Sequence, residues 1–196
     1  MKNAVTGAIR EALQVTAVFI AVALAFTMVS VLTSDIHFKI GIFRPLSAIP
    51  PHLAALAGVG LAVGIVACLF SMRFSLKLIL LSIVLTLLFD LDHLPSAVGI
   101  AQPIRPAHSL LFLGIVILAE LVILRKPLGT AALIGAAFLG HIATDSGVFP
   151  LLYPFSLHYF QLGSTYPWLY LAAFVLAAMA GVLTRFPPRL LNFSNR

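Results

Sequence analysis

The sequence predicts an all-α integral membrane protein, a polytopic bundle of about six transmembrane helices. Of the 196 residues, 61% are apolar and only 9% are charged. A soluble domain usually carries about 25% charged residues, so this chain has too little polar surface to cover a water-facing exterior. The apolar residues also form runs close to the roughly 20 residues that cross a hydrocarbon core. We expect residues 1–196 to form a single integral membrane domain.

Six apolar segments are the candidate spanning helices. They are residues 12–33, 52–70, 76–89, 108–124, 128–145 and 168–184. The first follows the basic residues Lys2 and Arg10, as in a signal peptide, but it exceeds the roughly 7 to 15 apolar residues of a signal sequence. We therefore interpret it as a retained transmembrane helix. The second is rich in Ala and Gly, which permits close helix packing.

The distribution of Lys and Arg predicts the orientation. With six spans, nine of the twelve basic residues fall on the face that holds both termini, and three, Lys39, Arg44 and Arg105, fall on the opposite face. Cytoplasmic loops carry the excess of basic residues. We therefore predict a multi-pass protein of the cell (cytoplasmic) membrane with both termini in the cytoplasm. The net charge of +6 is spread between apolar runs, so nucleic acid is not an expected partner.

Every Asp and every His falls on the outer side of this topology. The densest group is Asp90-Leu91-Asp92-His93, at the end of the third helix. Two carboxylates and an imidazole offer oxygen and nitrogen ligands to one or two divalent ions. The alternative is a polar helix cap. A helix C-terminus is already partly negative, however, so two Asp residues there need a compensating cation.

A second group consists of His141 and Asp145. Residues four apart share one helix face, so both can hold the same ion. His141 lies about one turn inside the membrane, where an ionisable residue indicates function; helix packing is the alternative. His52 and His108 begin the second and fourth helices at the same outer end, each either as a ligand or as an interfacial side chain. Ser109 could orient the imidazole of His108.

The remaining polar residues give weaker signals. Arg105 is a lone outer cation that could clamp a phosphate or anchor the chain at the interface. Asp35 and His37 fit a solvated loop, and His158 fits an interfacial loop rich in aromatic residues. That loop is either an aromatic belt or a cover that guides a lipid-like substrate. Glu120, inside the fourth helix near its cytoplasmic end, fits a pairing with a nearby cation.

Taken together, these blocks resemble the YdjM-like family of membrane-bound metal-dependent hydrolases. The likeness covers residues 50–160, a hydrolase-like core, and leaves the first helix, 12–33, as an addition. It is carried by the order and spacing of His52-Leu, Asp-x-Asp-His, His-Ser and Gly-His-x-x-x-Asp. The chain departs from the family in one block, since residues 103–107 replace a His-Arg-Gly stretch and the Thr before His108.

The resemblance implies a site similar to that of zinc-dependent phospholipase C, in which His and Asp hold zinc ions between helices. The implied metal ligands are His52, Asp90, Asp92, His93, His108, His141 and Asp145. The implied cofactor is a divalent metal, with zinc as the first choice. The leading hypothesis is a hydrolase of a phosphoester at the outer face, with membrane lipid as a partner and a lipid phosphate as the substrate.

Three residues take catalytic roles in this hypothesis. Asp92 and Asp145 would bridge ions or act as general base, and Arg105 would stabilise charge on the phosphoryl oxygens. The alternative is a metal-ion transporter, or a metal-binding membrane protein, that uses the same ligands. It predicts polar residues across the cytoplasmic half of the bundle. The few in the sequence are Thr16, Thr86 and Glu120. A structural bundle without activity is a further alternative.

Overall fold

The computed structural model describes residues 2–33, 49–93, 106–124, 126–145, 148–150, 153 and 158–185. This part of the chain is mostly helical. Its α-helices are α1 (Lys2–Thr33), α2 (Ile49–Ser71), α3 (Leu76–Leu88), α4 (Leu110–Val122), α5 (Leu128–Thr144) and α6 (Pro167–Arg185). It also contains 3-10 turns at Phe89–His93, Pro106–His108 and Gly163–Thr165, and two strands, β1 (Val148–Pro150) and β2 (Tyr159–Gln161). Each helix overlaps one of the six predicted segments, so the prediction of a helical protein is confirmed.

Within the described part of the chain, two helices are long and apolar enough to cross a membrane. The segments Pro51–Ser71 and Gly163–Arg185, 21 and 23 residues long, contain most of α2 and all of α6. Only 28% and 22% of their most apolar stretches are buried within the protein. The number of six crossings stays a prediction, since α4 and α5 have 13 and 17 residues against the roughly 20 that a crossing takes.

Helix α5 lies at the centre of the bundle. It packs against α2, α3, α4 and α6, and twelve of its 17 residues are buried. Half of the buried residues are Gly or Ala, whose small side chains let the surrounding helices approach closely. Its last turn carries His141, so the packing of the whole bundle fixes the position of this imidazole.

The contact between α2 and α3 depends on glycine. Gly60 and Gly64 lie four residues apart on α2, and a Cβ atom at either position would lie 2.7 Å from a backbone Cα atom of α3. Small residues at this spacing allow close packing of membrane helices. The close approach brings the end of α3, which precedes Asp90, next to the start of α2, which carries His52.

Substitution of Gly64 by alanine is expected to lower the free energy of unfolding by about 1 to 3 kcal/mol, because the added methyl group forces α2 and α3 apart. Gly58→Ala is the matched control on the same helix. A Cβ at Gly58 meets no atom within 4 Å, and alanine has the higher helix propensity. Thermal unfolding in detergent, followed by circular dichroism, measures both variants. Equal melting temperatures would contradict the close contact.

Helix α1 belongs to the core of the bundle. Val15 and Phe19 are fully buried, and α1 packs against α3 and α4. The ring of Phe19 makes edge-to-face contacts with Phe89 and Phe112, at centroid distances of 4.9 and 4.8 Å. Phe138 on α5 lies 5.2 Å from Phe89. These rings form an apolar layer at the end of α3, so the helix that the family resemblance leaves as an addition helps to build the surroundings of the polar residues.

The aromatic loop between α5 and α6 contains an antiparallel hairpin that the sequence did not predict. Strands β1 and β2 pair with Phe149 opposite Phe160. Strand β1 lies against the 3-10 turn Pro106–His108, and Tyr153, between the strands, is buried. Three residues per strand are too few for an alternating pattern to stand out in the sequence. The hairpin packs on the turn that carries His108.

Candidate metal centre

Five polar side chains from separate segments meet at one end of the bundle. They are His52 near the start of α2, Asp90 after α3, His108 before α4, His141 near the end of α5 and Asp145 directly after α5. Consecutive helices of a bundle run in opposite directions, so the beginnings of α2 and α4 lie beside the ends of α3 and α5. Residues far apart in the sequence thereby come together.

The tightest group consists of Asp90, His108 and His141. The Nε2 atoms of His108 and His141 are 3.0 Å apart, and Oδ1 of Asp90 lies 3.9 Å from Nε2 of His141. One ligand atom from each of the three residues lies within 4.8 Å of the other two. Zinc binds nitrogen and oxygen donors at about 2.0 to 2.2 Å, which places two tetrahedral donors of one ion roughly 3.4 Å apart. The distances of 3.0 and 3.9 Å lie on either side of this value, so the group could hold a metal ion.

Asp145 and His52 extend this group toward the surface. Oδ2 of Asp145 lies 3.1 Å from Nε2 of His108, and Nε2 of His52 lies 3.3 Å from Oδ2 of Asp90 and 3.5 Å from Oδ1 of Asp145. The exposed fraction of the side chains rises from zero for the two inner imidazoles to 5% for Asp145, 10% for Asp90 and 22% for His52. The open side of the group is therefore at the start of α2.

A backbone contact fixes the orientation of His141. Its Nδ1 atom lies 2.9 Å from the carbonyl oxygen of Thr86 on α3. A carbonyl oxygen only accepts hydrogen bonds, so Nδ1 carries the proton, and in the neutral ring Nε2 directs its lone pair at the group. Hydrogen bonds of this kind hold metal-binding imidazoles in place. The ring of Phe89, at a centroid distance of 5.9 Å, packs beside the imidazole.

The start of α4 positions His108. The hydroxyl of Ser109 accepts a hydrogen bond from the backbone N–H of Phe112 at 3.1 Å and so caps the helix. The structure shows Ser109 in this capping role, and the ring of His108 contacts Asp145; a role of Ser109 in orienting the imidazole stays a prediction. His108 lies in the 3-10 turn before α4, whereas the sequence placed it in the helix itself.

The charges of the group fit a divalent cation. With neutral imidazoles, Asp90 and Asp145 bring two negative charges into a region where their side chains are 10% and 5% exposed. Buried charge is stable only when it is compensated, and one divalent ion compensates both carboxylates. Imidazole and carboxylate donors suit zinc and also other first-row metal ions, so the residues fit a metal without singling one out.

The structure brings together five of the seven predicted ligands. The other two, Asp92 and His93, belong to the same 3-10 turn as Asp90, but their side chains are not among the parts that the structure describes. Three further candidates lie outside the described residues: Asp35, His37 and Arg105. His158 directly precedes β2, where it is exposed and its ring contacts Phe160.

Two roles were missed or misplaced by the sequence analysis. Thr86 supports His141 through its backbone carbonyl, a contact that no side-chain pattern indicates. The sequence analysis placed Thr86 in the cytoplasmic half of the bundle, and this placement is wrong because Thr86 lies beside His141. Glu120 is fully buried. Among the described residues its carboxylate has no hydrogen-bond partner, so the predicted pairing with a cation is not observed there.

Comparisons of the chain with protein-family models, with curated proteins and with solved structures give no match. The likeness to the YdjM-like hydrolases therefore stays a prediction from the motifs. The chemistry of the imidazoles and carboxylates in the group is therefore the main indication of function.

Proposed function

We propose that this protein is a membrane-embedded metal-dependent hydrolase that cleaves a phosphoester, with a membrane lipid phosphate as its class of substrate. The observation that carries the proposal is the group of Asp90, His108 and His141, whose ligand atoms lie within 4.8 Å of one another. An apolar bundle does not need buried imidazoles and carboxylates for its packing, and ionisable groups at such positions indicate function. The motif resemblance to the YdjM-like hydrolases is a second support.

In this proposal the group lies at the outer face of the cell membrane. All six helices cross the bilayer, both termini are cytoplasmic, and the ends of α3 and α5 point outward. The short helices are compatible with crossing because 3-10 turns follow α3 and precede α4. Irregular backbone is tolerated in a membrane where it is buried in protein or lines a cavity. Arg73, Lys77 and Arg185 lie at the opposite end, as a cytoplasmic face requires.

The proposed metal ligands are Asp90, His108 and His141, with His52 and Asp145 beside them. A divalent ion bound there supplies a Lewis acid that activates water and polarises a phosphoryl oxygen. Asp145, whose Oδ2 atom lies 3.1 Å from Nε2 of His108, would be the group that accepts the proton from water. His52, the most exposed member, is placed to contact an incoming phosphate.

Two predicted residues complete the proposal. Arg105 directly precedes the turn Pro106–His108 in the sequence, and we assign it the binding of phosphoryl oxygens, for which a guanidinium is suited. Asp92, two residues after Asp90, is a second carboxylate for bridging ions. A lipid phosphate is a suitable substrate because a headgroup lies at the membrane boundary, the depth at which the proposal puts these residues.

Removal of metal is expected to lower hydrolysis at least about 100-fold, because a metal ion contributes several kcal/mol to stabilisation of the transition state. The purified protein is assayed in detergent with phosphatidate, phosphatidylglycerol and nitrophenyl phosphate, before and after EDTA, and again after addition of zinc. We expect zinc to restore the activity and the lipid esters to be cleaved faster than the soluble ester.

His158→Ala is the control variant for this assay, since His158 is exposed and is not one of the five residues of the metal centre. It is expected to retain the full rate and the same response to EDTA. Failure of the zinc-loaded protein to cleave any of the three esters would refute the proposal. So would hydrolysis that EDTA leaves unchanged.

Metal-ion transport is the competing function, and it needs polar groups that continue from the site through the bundle. Ser82 and Thr86 are buried on α3, but their hydroxyls donate hydrogen bonds to the carbonyl oxygens of Leu78 and Ser82, at 2.7 and 2.8 Å. These hydroxyls are held against the backbone of their own helix, and they are neutral oxygen donors rather than the imidazoles that suit zinc. Zinc flux into proteoliposomes without ester hydrolysis would favour transport.

A further inference from the structure

A cavity lies at the opposite end of the bundle, where the turn between α2 and α3 meets the end of α6. Its volume is about 560 Å³. Six of its eight lining residues are polar. They are the cations Arg73, Lys77 and Arg185 and the hydroxyl residues Ser71, Ser75 and Thr184. No acidic residue lines the cavity among the described residues.

The cavity carries an excess of positive charge. Lys77 pairs with Glu11 on α1. Within the described part of the chain, by contrast, no carboxylate pairs with Arg73 or Arg185. Two guanidinium groups form a donor set that recognises phosphate, since each guanidinium can bind two phosphate oxygens at once. The charge of the cavity therefore matches an anionic phosphate group.

The turn that carries Arg73 has a defined backbone conformation. Met72 has a φ of 56°, in the left-handed region that residues with a side chain rarely adopt. The hydroxyl of Ser71 accepts a hydrogen bond from the backbone N–H of Arg73 at 3.3 Å and lies 2.8 Å from the carbonyl oxygen of Cys68. These contacts fix the main chain at Arg73, so the cavity is built by the fold.

An apolar groove adjoins the cavity. It has a volume of about 400 Å³, shares Met72 and Arg73 with the cavity, and is lined further by Ile65, Leu69 and Phe74. The exposed fractions of Phe74 and Met72 are 83% and 72%. Large apolar side chains beside cations are typical of the boundary between lipid headgroups and acyl chains. The groove thus offers a surface for an acyl chain next to a surface for a phosphate.

The length of α2 separates this cavity from the metal centre. From His52 to Ser71 the helix rises through 19 residues, or roughly 28 Å at about 1.5 Å per residue. The hydrocarbon core of a bilayer is about 30 Å thick. With the metal centre at one boundary of the membrane, the cavity lies at the headgroups of the other leaflet.

We propose that this end of the bundle binds an anionic phospholipid, with its phosphate between Arg73 and Arg185 and an acyl chain along the apolar groove. A soluble phosphate would occupy the cavity and leave the groove exposed, whereas a phospholipid fills both. This site is separate from the metal centre and does not depend on hydrolysis.

Phosphatidylglycerol is expected to bind the detergent-solubilised full-length protein at least about fivefold more tightly than phosphatidylcholine, as measured by native mass spectrometry. Arg73→Gln and Arg185→Gln should each lower the affinity for phosphatidylglycerol about fivefold, the contribution of one cation near an anionic headgroup. Arg10→Gln is the matched control. Arg10 is exposed, directly precedes Glu11 on α1, and does not line the cavity.

An equal loss of affinity in Arg10→Gln and Arg73→Gln would overturn the proposal, because it would indicate only a general attraction between basic residues and anionic lipid. Inorganic phosphate that competes with phosphatidylglycerol at equal concentration would overturn the lipid assignment. Ile65→Trp fills the groove and keeps every cation, so it should weaken binding of phosphatidylglycerol; unchanged binding would contradict the acyl-chain site. The melting temperature of each variant without lipid reports its folding.

Discussion

His141→Ala is expected to lower the affinity of the protein for zinc by more than about 100-fold. The groups that support a metal ligand alone contribute about 10- to 100-fold to metal affinity, and here a ligand itself is removed. Nε2 of His141 lies 3.0 Å from His108 and 3.9 Å from Asp90. The substitution therefore removes the nitrogen atom that is close to both His108 and Asp90, and only two of the three inner ligands remain.

Zinc content after purification, and competition with a chromophoric chelator, measure this affinity. His158→Ala is the matched control, since it removes an exposed imidazole outside the group and should leave zinc binding unchanged. His141 is fully buried, so alanine leaves a cavity, and circular dichroism must show that the bundle is intact. If the folded His141→Ala protein kept the zinc affinity of the wild type, this result would contradict the metal site. The contact between His108 and His141 would then be only a hydrogen bond between two imidazoles.

The helices could be predicted because the length of an apolar run is a property of the sequence alone. The ends of the helices could not be predicted in this way. Helix α1 begins at Lys2, well before the apolar run starts at residue 12, because a helix continues into water without a change in its hydrogen bonding. Helix α3 ends at Leu88, and the chain continues as a 3-10 turn through Phe89–His93. Hydropathy reports which part of a helix is apolar, and these ends depend on local packing.

The meeting of the site residues could be predicted in outline, since His52, Asp90 and His141 all lie near helix ends on one side of the predicted topology. The sequence did not predict which of these side chains are the most buried. His141 is fully buried because four helices pack around α5, and this packing depends on small residues such as Gly140, which faces Val59 of α2. The apolar layer that α1 contributes through Phe19 likewise depends on contacts between distant parts of the chain, which a local pattern does not contain.

Asp145→Asn is expected to lower kcat about 100- to 10,000-fold at saturating zinc, the range that general bases contribute, while zinc stays bound. Asparagine keeps the size of the side chain but cannot take up a proton. Asp145 is not one of the three described residues whose ligand atoms lie within 4.8 Å of one another. The inner donors of Asp90, His108 and His141 are therefore unchanged in this variant.

Asp90→Asn provides the contrast, because the same chemical change there weakens a donor of the inner group. Its activity should recover in part as the zinc concentration rises, whereas the activity of Asp145→Asn should stay low at every zinc concentration. The rate measured against zinc concentration thus separates a residue that holds the metal from one that moves a proton. If Asp145→Asn kept the kcat of the wild type, another group would accept the proton. Asp92, in the same turn as Asp90, would then become the candidate base.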